Sequence, residues 1–306
     1  MKEIEITLPL NLSDKEKGLL DMHSFLNLMN ILMGEISIME LSFGSQPGFS
    51  AALAIASKIK EDLDDIDKVK LHLGQMKKLK KSILNALYEG FGLAGVDTSD
   101  PEIKQSINNI ISVLNILEVR SHEILARFQE PDKWVEHNIS KLKQKYVDVF
   151  AAIEKNSKGR YFIVYNIASK SPNDYIVDLN IDSVDGDIIF MPPVLQDVLR
   201  DIVANARKYS NPGGRISAGL LDDSEYLKIV VKDEGRGIPA DQVTDVVNYG
   251  KRGSNVEDKV TMGGGFGLTK AYFITKQFGG KMWITSDEGK GTTIRIQIPV
   301  VGRRKD

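Results

Sequence analysis

At 306 residues the chain is long enough for two domains with separate cores, since single domains usually run to about 100–200 residues. Its 42% apolar and 27% charged residues exclude a disordered chain, and 40 Lys and Arg against 42 Asp and Glu exclude a general nucleic-acid binder, so any basic site must be local. There is no cysteine, which excludes disulfides, thiolate metal sites and Cys nucleophiles and fits a reducing, cytoplasmic setting.

The opening MKEIEITLPLNLSDKEKG carries acidic residues and no apolar core of signal-peptide type, so no export signal is expected. Leu19 to Phe43 is the most apolar stretch, but Asp21, His23, Asn27, Asn30, Glu35 and Glu40 interrupt it. That is too many polar groups for a bilayer span of about 20 residues, so no membrane span is expected.

Four helical segments are predicted in the first half. The first runs from Ser13, its N-cap, to about Leu41, and the turn GSQPGFS ends it. The second spans about Ser50 to Tyr88. The third opens at Pro101 behind a capping Asp100 and stops near Pro131. The fourth, Asp132 to about Glu154, places Trp134, Ile139, Leu142 and Tyr146 on one face. Together they predict an antiparallel bundle.

From Arg160 the pattern changes. RYFIVYNI and DYIVDLNI are short β-rich runs separated by SKSPND, and strands and helices then alternate to the end. The expectation is therefore an α+β chain: a helical bundle over residues 1–155, then an α/β sandwich domain over 156–306.

Four blocks in the second half carry chemistry. LQDVLRDIVANARKYS is an amphipathic helix with Asp201, Asn205 and Lys208 at i, i+4 and i+7 on one face. An amide oxygen suits Mg²⁺, which prefers hard oxygen donors, and Lys208 can meet a phosphate as a point charge. Next, strand YLKIVV runs into KDEGRGIP, where Asp233 ends the strand and Gly235 and Gly237 allow the backbone close to a ligand. Third, TMGGGFGLTK places Gly263, Gly264, Gly265 and Gly267 directly before a helix, which presents backbone N–H groups and a positive dipole end to phosphate. Fourth, SDEGKGTTIRIQIPV sets Gly289, Gly291 and Thr292 ahead of the last strand. Taken singly, these blocks read equally as a solvated helix face, a turn, a linker and a hairpin.

In this order and these contexts the four blocks resemble the N, G1, G2 and G3 boxes of the ATP-binding domain of the two-component sensor histidine kinases, a GHKL-type fold. The resemblance implies ATP and Mg²⁺ as ligands, with Asn205 on the metal, Lys208 on a phosphate, Asp233 on the adenine amino group, the Gly263 to Gly267 loop around the phosphates and Tyr209 beside the base. It makes VVNYGKRGSNVEDKVTM the ATP lid, whose Lys251, Arg252 and Lys259 can offset charge on the transferred phosphoryl group. Glu234 departs from the family's usual asparagine. Asp201, on the same helix face as Asn205, is the carboxylate candidate for a catalytic role.

A kinase of this kind needs an acceptor histidine, and the chain has four. In the first helix Leu19, Met22, Leu26, Met29, Met33 and Ile36 form a seam, whereas His23, Asn27, Asn30, Gly34 and Ser37 form a polar stripe. His23 is thus predicted to be exposed, with Asn27 four residues on, as in the family's acceptor helices. Ser24 is the misfit, because the family usually places Glu or Asp there to take the proton. His122 is the rival: Glu123 follows it and Glu118 precedes it by one turn, but its +4 residue is Ala126. His72 and His137 read as surface or interhelical histidines.

The resemblance thus implies a protein-histidine kinase, expected to be a homodimer, that autophosphorylates His23 and passes the phosphoryl group to a response-regulator receiver domain, with an unknown sensor partner. Two other readings stay open: a serine kinase of the dehydrogenase-kinase branch, which joins a four-helix bundle to the same ATP fold, and a nucleotide-sensing scaffold without kinase activity.

Overall fold

The computed structural model describes residues 2–155, 161–256 and 265–302. Two compact units emerge, Met1–Asn11 together with Asp132–Asp306, and Leu12–Pro131. The division therefore does not fall at 156. The first residues of the chain add a strand to the main sheet, and the segment after Pro131 packs with that sheet rather than with the preceding helices.

The helical unit holds α1 (Asp14–Phe43), α2 (Pro47–Glu61), α3 (Ile66–Gly74), α4 (Met76–Leu93) and α5 (Pro101–Gln129). Ser13 caps α1 through a capping box, its hydroxyl accepting from the Glu16 N–H while the Glu16 carboxylate accepts from the Ser13 N–H. Asp100 accepts from the Glu102 and Ile103 N–H groups at the head of α5, as its place before Pro101 predicts. The second predicted helix is broken into α2, α3 and α4. Asp65 leaves the helix and caps α3, accepting from the Asp67 and Lys68 N–H groups, and the run DLDD offers side-chain acceptors that compete with a continuous helix. Phe25, Met29 and Leu32 of α1, Phe49 of α2, Ile83 and Phe91 of α4, and Ile110 and Leu114 of α5 form the core. Helices α2 and α4 approach through glycine: a Cβ on Gly48 would stand 2.4 Å from the Gly90 nitrogen, and one on Gly90 would stand 2.7 Å from the Phe49 ring.

The second unit is built on a seven-stranded sheet. Its elements are β1 (Glu3–Glu5), β2 (Val135–Asn138), α6 (Ile139–Lys155), β3 (Ile163–Val164), β4 (Tyr175–Ser183), β5 (Ile188–Met191), α7 (Val194–Tyr209), β6 (Arg215–Asp222), β7 (Tyr226–Asp233), α8 (Phe266–Gln277), β8 (Lys281–Ser286) and β9 (Thr292–Pro299). The strand order is β1-β8-β9-β7-β6-β4-β3, antiparallel except at β3–β4 and β4–β6. Burial alternates along the strands, so Ile216, Ala218 and Leu220 of β6, Leu227, Ile229 and Val231 of β7, and Ile294, Ile296 and Ile298 of β9 line one core together with the buried faces of α7 and α8. Strands on one layer and helices on the other give the expected sandwich.

The fourth predicted helix starts at Ile139, not at Asp132. Val135–Asn138 instead pairs antiparallel with β5, and the Asn138 side chain accepts from the Lys141 N–H to open α6. At the other end of the chain, the Tyr272 hydroxyl of α8 meets the Leu8 carbonyl at 2.7 Å and the Ile6 carbonyl at 3.1 Å, anchoring the segment after β1. No described helix is long and apolar enough to cross a membrane.

Candidate nucleotide-binding site

The four blocks converge at the C-terminal ends of α7 and β7. Asp233, only 9% exposed, ends β7, and its Oδ1 accepts from the Gly235 N–H at 2.8 Å and from the Thr292 N–H at 3.2 Å. Burial pushes its pKa up to about 6, against the lowering effect of those two N–H donors. The turn after it passes close to α7: the Arg236 N–H donates to the Tyr209 carbonyl, and a Cβ on Gly235 would lie 2.6 Å from that oxygen. Gly237 has φ +66°, and a Cβ there would lie 1.9 Å from the Asp287 carbonyl oxygen. Only glycine fits this crossing. A Cβ on Gly291 would likewise strike the Asp233 carbonyl, so the second and fourth blocks are nested together.

On α7, the Asn205 side chain faces the third block, its Nδ2 lying 2.5 Å from where a Cβ on Gly267 would stand. Gly265, at φ +82° in the left-handed region, starts α8 and leaves its first N–H groups without helical partners. Lys208 lies with its Nζ 5.0 Å from the centre of the Tyr209 ring. Burial lowers its pKa to about 8, helped by the nearby charges of Arg252 and Arg207. The Arg252 side chain passes the head of α8, its Cγ lying 3.2 Å from where a Cβ on Gly265 would stand. Tyr209 is partly buried and its hydroxyl pKa is raised by that burial. Thr292 sits against Asp233 through its N–H and against the Ser286 hydroxyl through its own. Lys251 is exposed. Gly263, Gly264 and Lys259 lie outside the described residues.

Asp201 is not open toward a ligand on both oxygens. Its Oδ2 lies 3.4 Å from Lys270 Nζ and its Oδ1 3.6 Å from Arg200 Nε. Sequence reading missed Lys270, Arg200 and Asp197. The only available signal was the i, i+3, i+4 spacing of Asp197, Arg200 and Asp201, together with a lysine inside the otherwise apolar LTKAYFI.

The histidines divide differently from expectation. His23 is only 9% exposed, not presented to solvent, and its Nε2 lies 3.4 Å from Asn27 Nδ2. Apolar residues run round α1, and the buried line follows Met22, Phe25, Met29, Leu32, Ile36 and Met39; it keeps Met22, Met29 and Ile36 of the predicted seam and takes Phe25 and Leu32 in place of Leu26 and Met33. Of the polar stripe only His23 is buried; Asn27, Asn30 and Ser37 are half-buried and Gly34 is exposed. His122, by contrast, is exposed on α5; the neighbouring Glu118 accepts from Lys80, and Glu123 pairs with Arg120. His72 is bonded to Asp62 at 2.9 Å. His137 is not interhelical: it lies on β2, where Nε2 meets the Met191 carbonyl and Nδ1 accepts from Gln196, and burial lowers its pKa.

Residues 191–302 match the family described as histidine kinase-, DNA gyrase B-, and HSP90-like ATPase. Over these residues the chain is similar to the ATPase domain of that family. Among curated relatives, the sensor histidine kinase WalK of Bacillus subtilis is 38% identical over 114 residues, 37% of this chain and 19% of WalK. The adaptive-response sensory kinase SasA of Synechococcus elongatus is 36% identical over 110 residues, 36% of this chain and 28% of SasA. The chain thus spans less than a third of the length of these relatives. Among solved structures, the catalytic domain of the histidine kinase ThkA superposes with 18% identity and a TM-score of 0.37, covering 55% of this chain and 97% of that one.

Proposed function

We propose that the protein is an ATP-dependent histidine kinase that phosphorylates one of its own histidines and passes the phosphoryl group to an aspartate of a response-regulator receiver domain. The observation that carries the reading is the meeting of Asn205 with Gly267, of Asp233 with Thr292 and of the Gly235 turn with Tyr209, which together link all four sequence blocks. The buried Asp233 carboxyl accepts an adenine amino hydrogen; Lys208 and Arg252 face the phosphates; the Gly265 end of α8 supplies N–H donors to them. The donor chemistry fits Mg²⁺: a neutral amide oxygen on Asn205 suits a hard cation that keeps most of its waters. When bound, Mg²⁺ neutralises charge on the phosphate oxygens.

On the acceptor side, His23 Nε2 lies 3.4 Å from the Asn27 amide nitrogen, and the ring reacts in this reading as the imidazole that carries its proton on Nδ1. The Nε2 lone pair then attacks the γ-phosphorus, ADP leaves, and Nδ1 releases its proton. Reaction requires His23 to turn out of its cover, and Ser24 offers no carboxylate for the proton, so slow autophosphorylation is expected. His122 is a second reading, favoured by its exposure and by Glu123 directly after it. Homodimer formation belongs to the same proposal; the exposed Ile38 and Leu41, one turn apart on α1, offer an apolar strip for it. Asn205→Ala at low Mg²⁺ tests the proposal: phosphotransfer is expected to vanish while the domain stays folded, and full activity in that variant rejects Asn205 as metal ligand.

A further inference from the structure

Beneath the nucleotide site lies a buried charge cluster that none of the assigned roles uses. Lys270 sits in the second turn of α8, three residues past Gly267, and is fully buried, at 0% exposure. Its Nζ lies 3.4 Å from Asp201 Oδ2 and 3.7 Å from Asp197 Oδ2. Arg200, also buried, takes the other oxygens, with Nη2 3.0 Å from Asp197 Oδ1 and Nε 3.6 Å from Asp201 Oδ1. Two carboxylates and two cations thus meet between α7 and α8.

Burying an ammonium group is unfavourable unless it is paired, and an apolar side chain of similar volume often gives equal or greater stability. What the network supplies that an apolar contact does not is a defined register between the two helices. That register matters here. Asp201 precedes Asn205 by four residues, one helical turn, on the same face of α7. Asn205 in turn abuts Gly267, three residues before Lys270, so the ionic lock and the Asn205–Gly267 contact bind the same two helices one turn apart.

We propose that Lys270 is a positioning residue that, through Asp201 and Asp197, holds the Asn205 amide at the place where the metal–phosphate group of the nucleotide is met. The inference rests on the nucleotide-site reading given above. In it Asp201 is a tether for α8 and not a proton acceptor, its two oxygens being engaged by Lys270 and Arg200.

The test is calorimetry on the full chain with three titrants: ATP with Mg²⁺, ATP with EDTA, and adenosine. In Lys270→Met the gain in ATP affinity that Mg²⁺ gives the unaltered protein is expected to shrink by about tenfold or more, with adenosine affinity held within about twofold. Lys270→Arg, which keeps the charge, should restore most of the Mg²⁺ gain. A merely structural lysine would lower adenosine and Mg-ATP affinity together, and that result overturns the proposal, as does an undiminished Mg²⁺ gain in Lys270→Met. Should that variant fail to fold with two carboxylates left underpaired, Lys270→Met combined with Asp197→Asn removes one of them and is measured in the same way. Failure of both to fold assigns Lys270 to stability alone and also overturns it. Absence of ATP binding in the unaltered protein would instead reject the nucleotide site itself, so the two failures are distinguishable.

Discussion

The Thr292 N–H donates to Asp233 Oδ1 across a sequence separation of 59 residues. With the Gly235 N–H on the same oxygen, this bond fixes the orientation of a buried carboxyl group and leaves Oδ2 for a ligand. Burial nevertheless dominates, and the pKa rises to about 6. The site therefore keeps an ionised but poorly solvated acceptor near neutral pH, which an amino-group donor such as that of adenine would satisfy.

A pH dependence follows. ATP affinity should fall as the pH is lowered from 7.5 through about 6, because protonated Asp233 is a weaker acceptor. Stability has the opposite sign. The folded pKa lies above the unfolded value of 3.8, so ionisation disfavours the folded state above pH 6, and this penalty is relieved as the pH drops from about 6 to 4. Asp233→Asn should weaken ATP binding by about tenfold or more and raise the stability of the ligand-free domain at pH 7 by on the order of 1–3 kcal/mol. Calorimetry and thermal melts at both pH values check this; an Asp233→Asn protein with unchanged affinity contradicts it.

At alkaline pH the controlling group is Lys208, whose pKa is lowered to about 8. Its charge is lost as the pH passes 8, so affinity for ATP should decline from pH 7.5 to 9 while affinity for adenosine, which has no phosphate, stays level. Lys208→Met should remove this alkaline limb. A limb that persists in the variant assigns it to another cation.

How much of this was legible in the sequence depends on how each feature is encoded. The glycines at 235, 237, 265 and 267 were readable because close backbone approach demands a residue without Cβ, and that demand shows as composition. Asp233 stood out because it ends a strand directly before Gly235 and Gly237, and Asn205 because it shares one face of an amphipathic helix with Asp201 and Lys208. Lys270 was not, since a lysine within an apolar helix gives no sign that two carboxylates 69 and 73 residues earlier will face it. The exposure of His23 was misread because a polar stripe need not be exposed along its whole length: Gly34 of the same stripe is exposed while His23 is buried. The break between α2 and α3 was hidden because DLDDID holds no Gly or Pro; it acts through side-chain caps.

Gly267→Ala is expected to drive a Cβ to within 2.5 Å of Asn205 Nδ2, displacing the amide or α8. Mg-ATP affinity should drop by about tenfold or more, with smaller change for adenosine. Equal affinity for both ligands before and after substitution would show that the amide has room to move.

In the helical unit, Gly90→Ala should destabilise by about 1–3 kcal/mol, since the added methyl meets the Phe49 ring at 2.7 Å where α2 and α4 touch. Gly92→Ala, two residues on, has open space and should be neutral or slightly stabilising. Chemical denaturation of the two variants side by side checks the contrast; equal midpoints contradict the close packing.

Incubation with γ-labelled ATP, followed by acid and base treatment, tests histidine phosphorylation most directly. A phosphoramidate on imidazole is lost in acid and retained in base, whereas phosphoserine survives acid. The account predicts a slowly accumulating, acid-labile and base-stable label that disappears in His23→Gln, persists in His122→Gln, and leaves ATP affinity unchanged in both. Label that persists in His23→Gln and vanishes in His122→Gln moves the acceptor to α5. Acid-stable label, or none from a protein that binds Mg-ATP, contradicts the histidine-kinase reading itself.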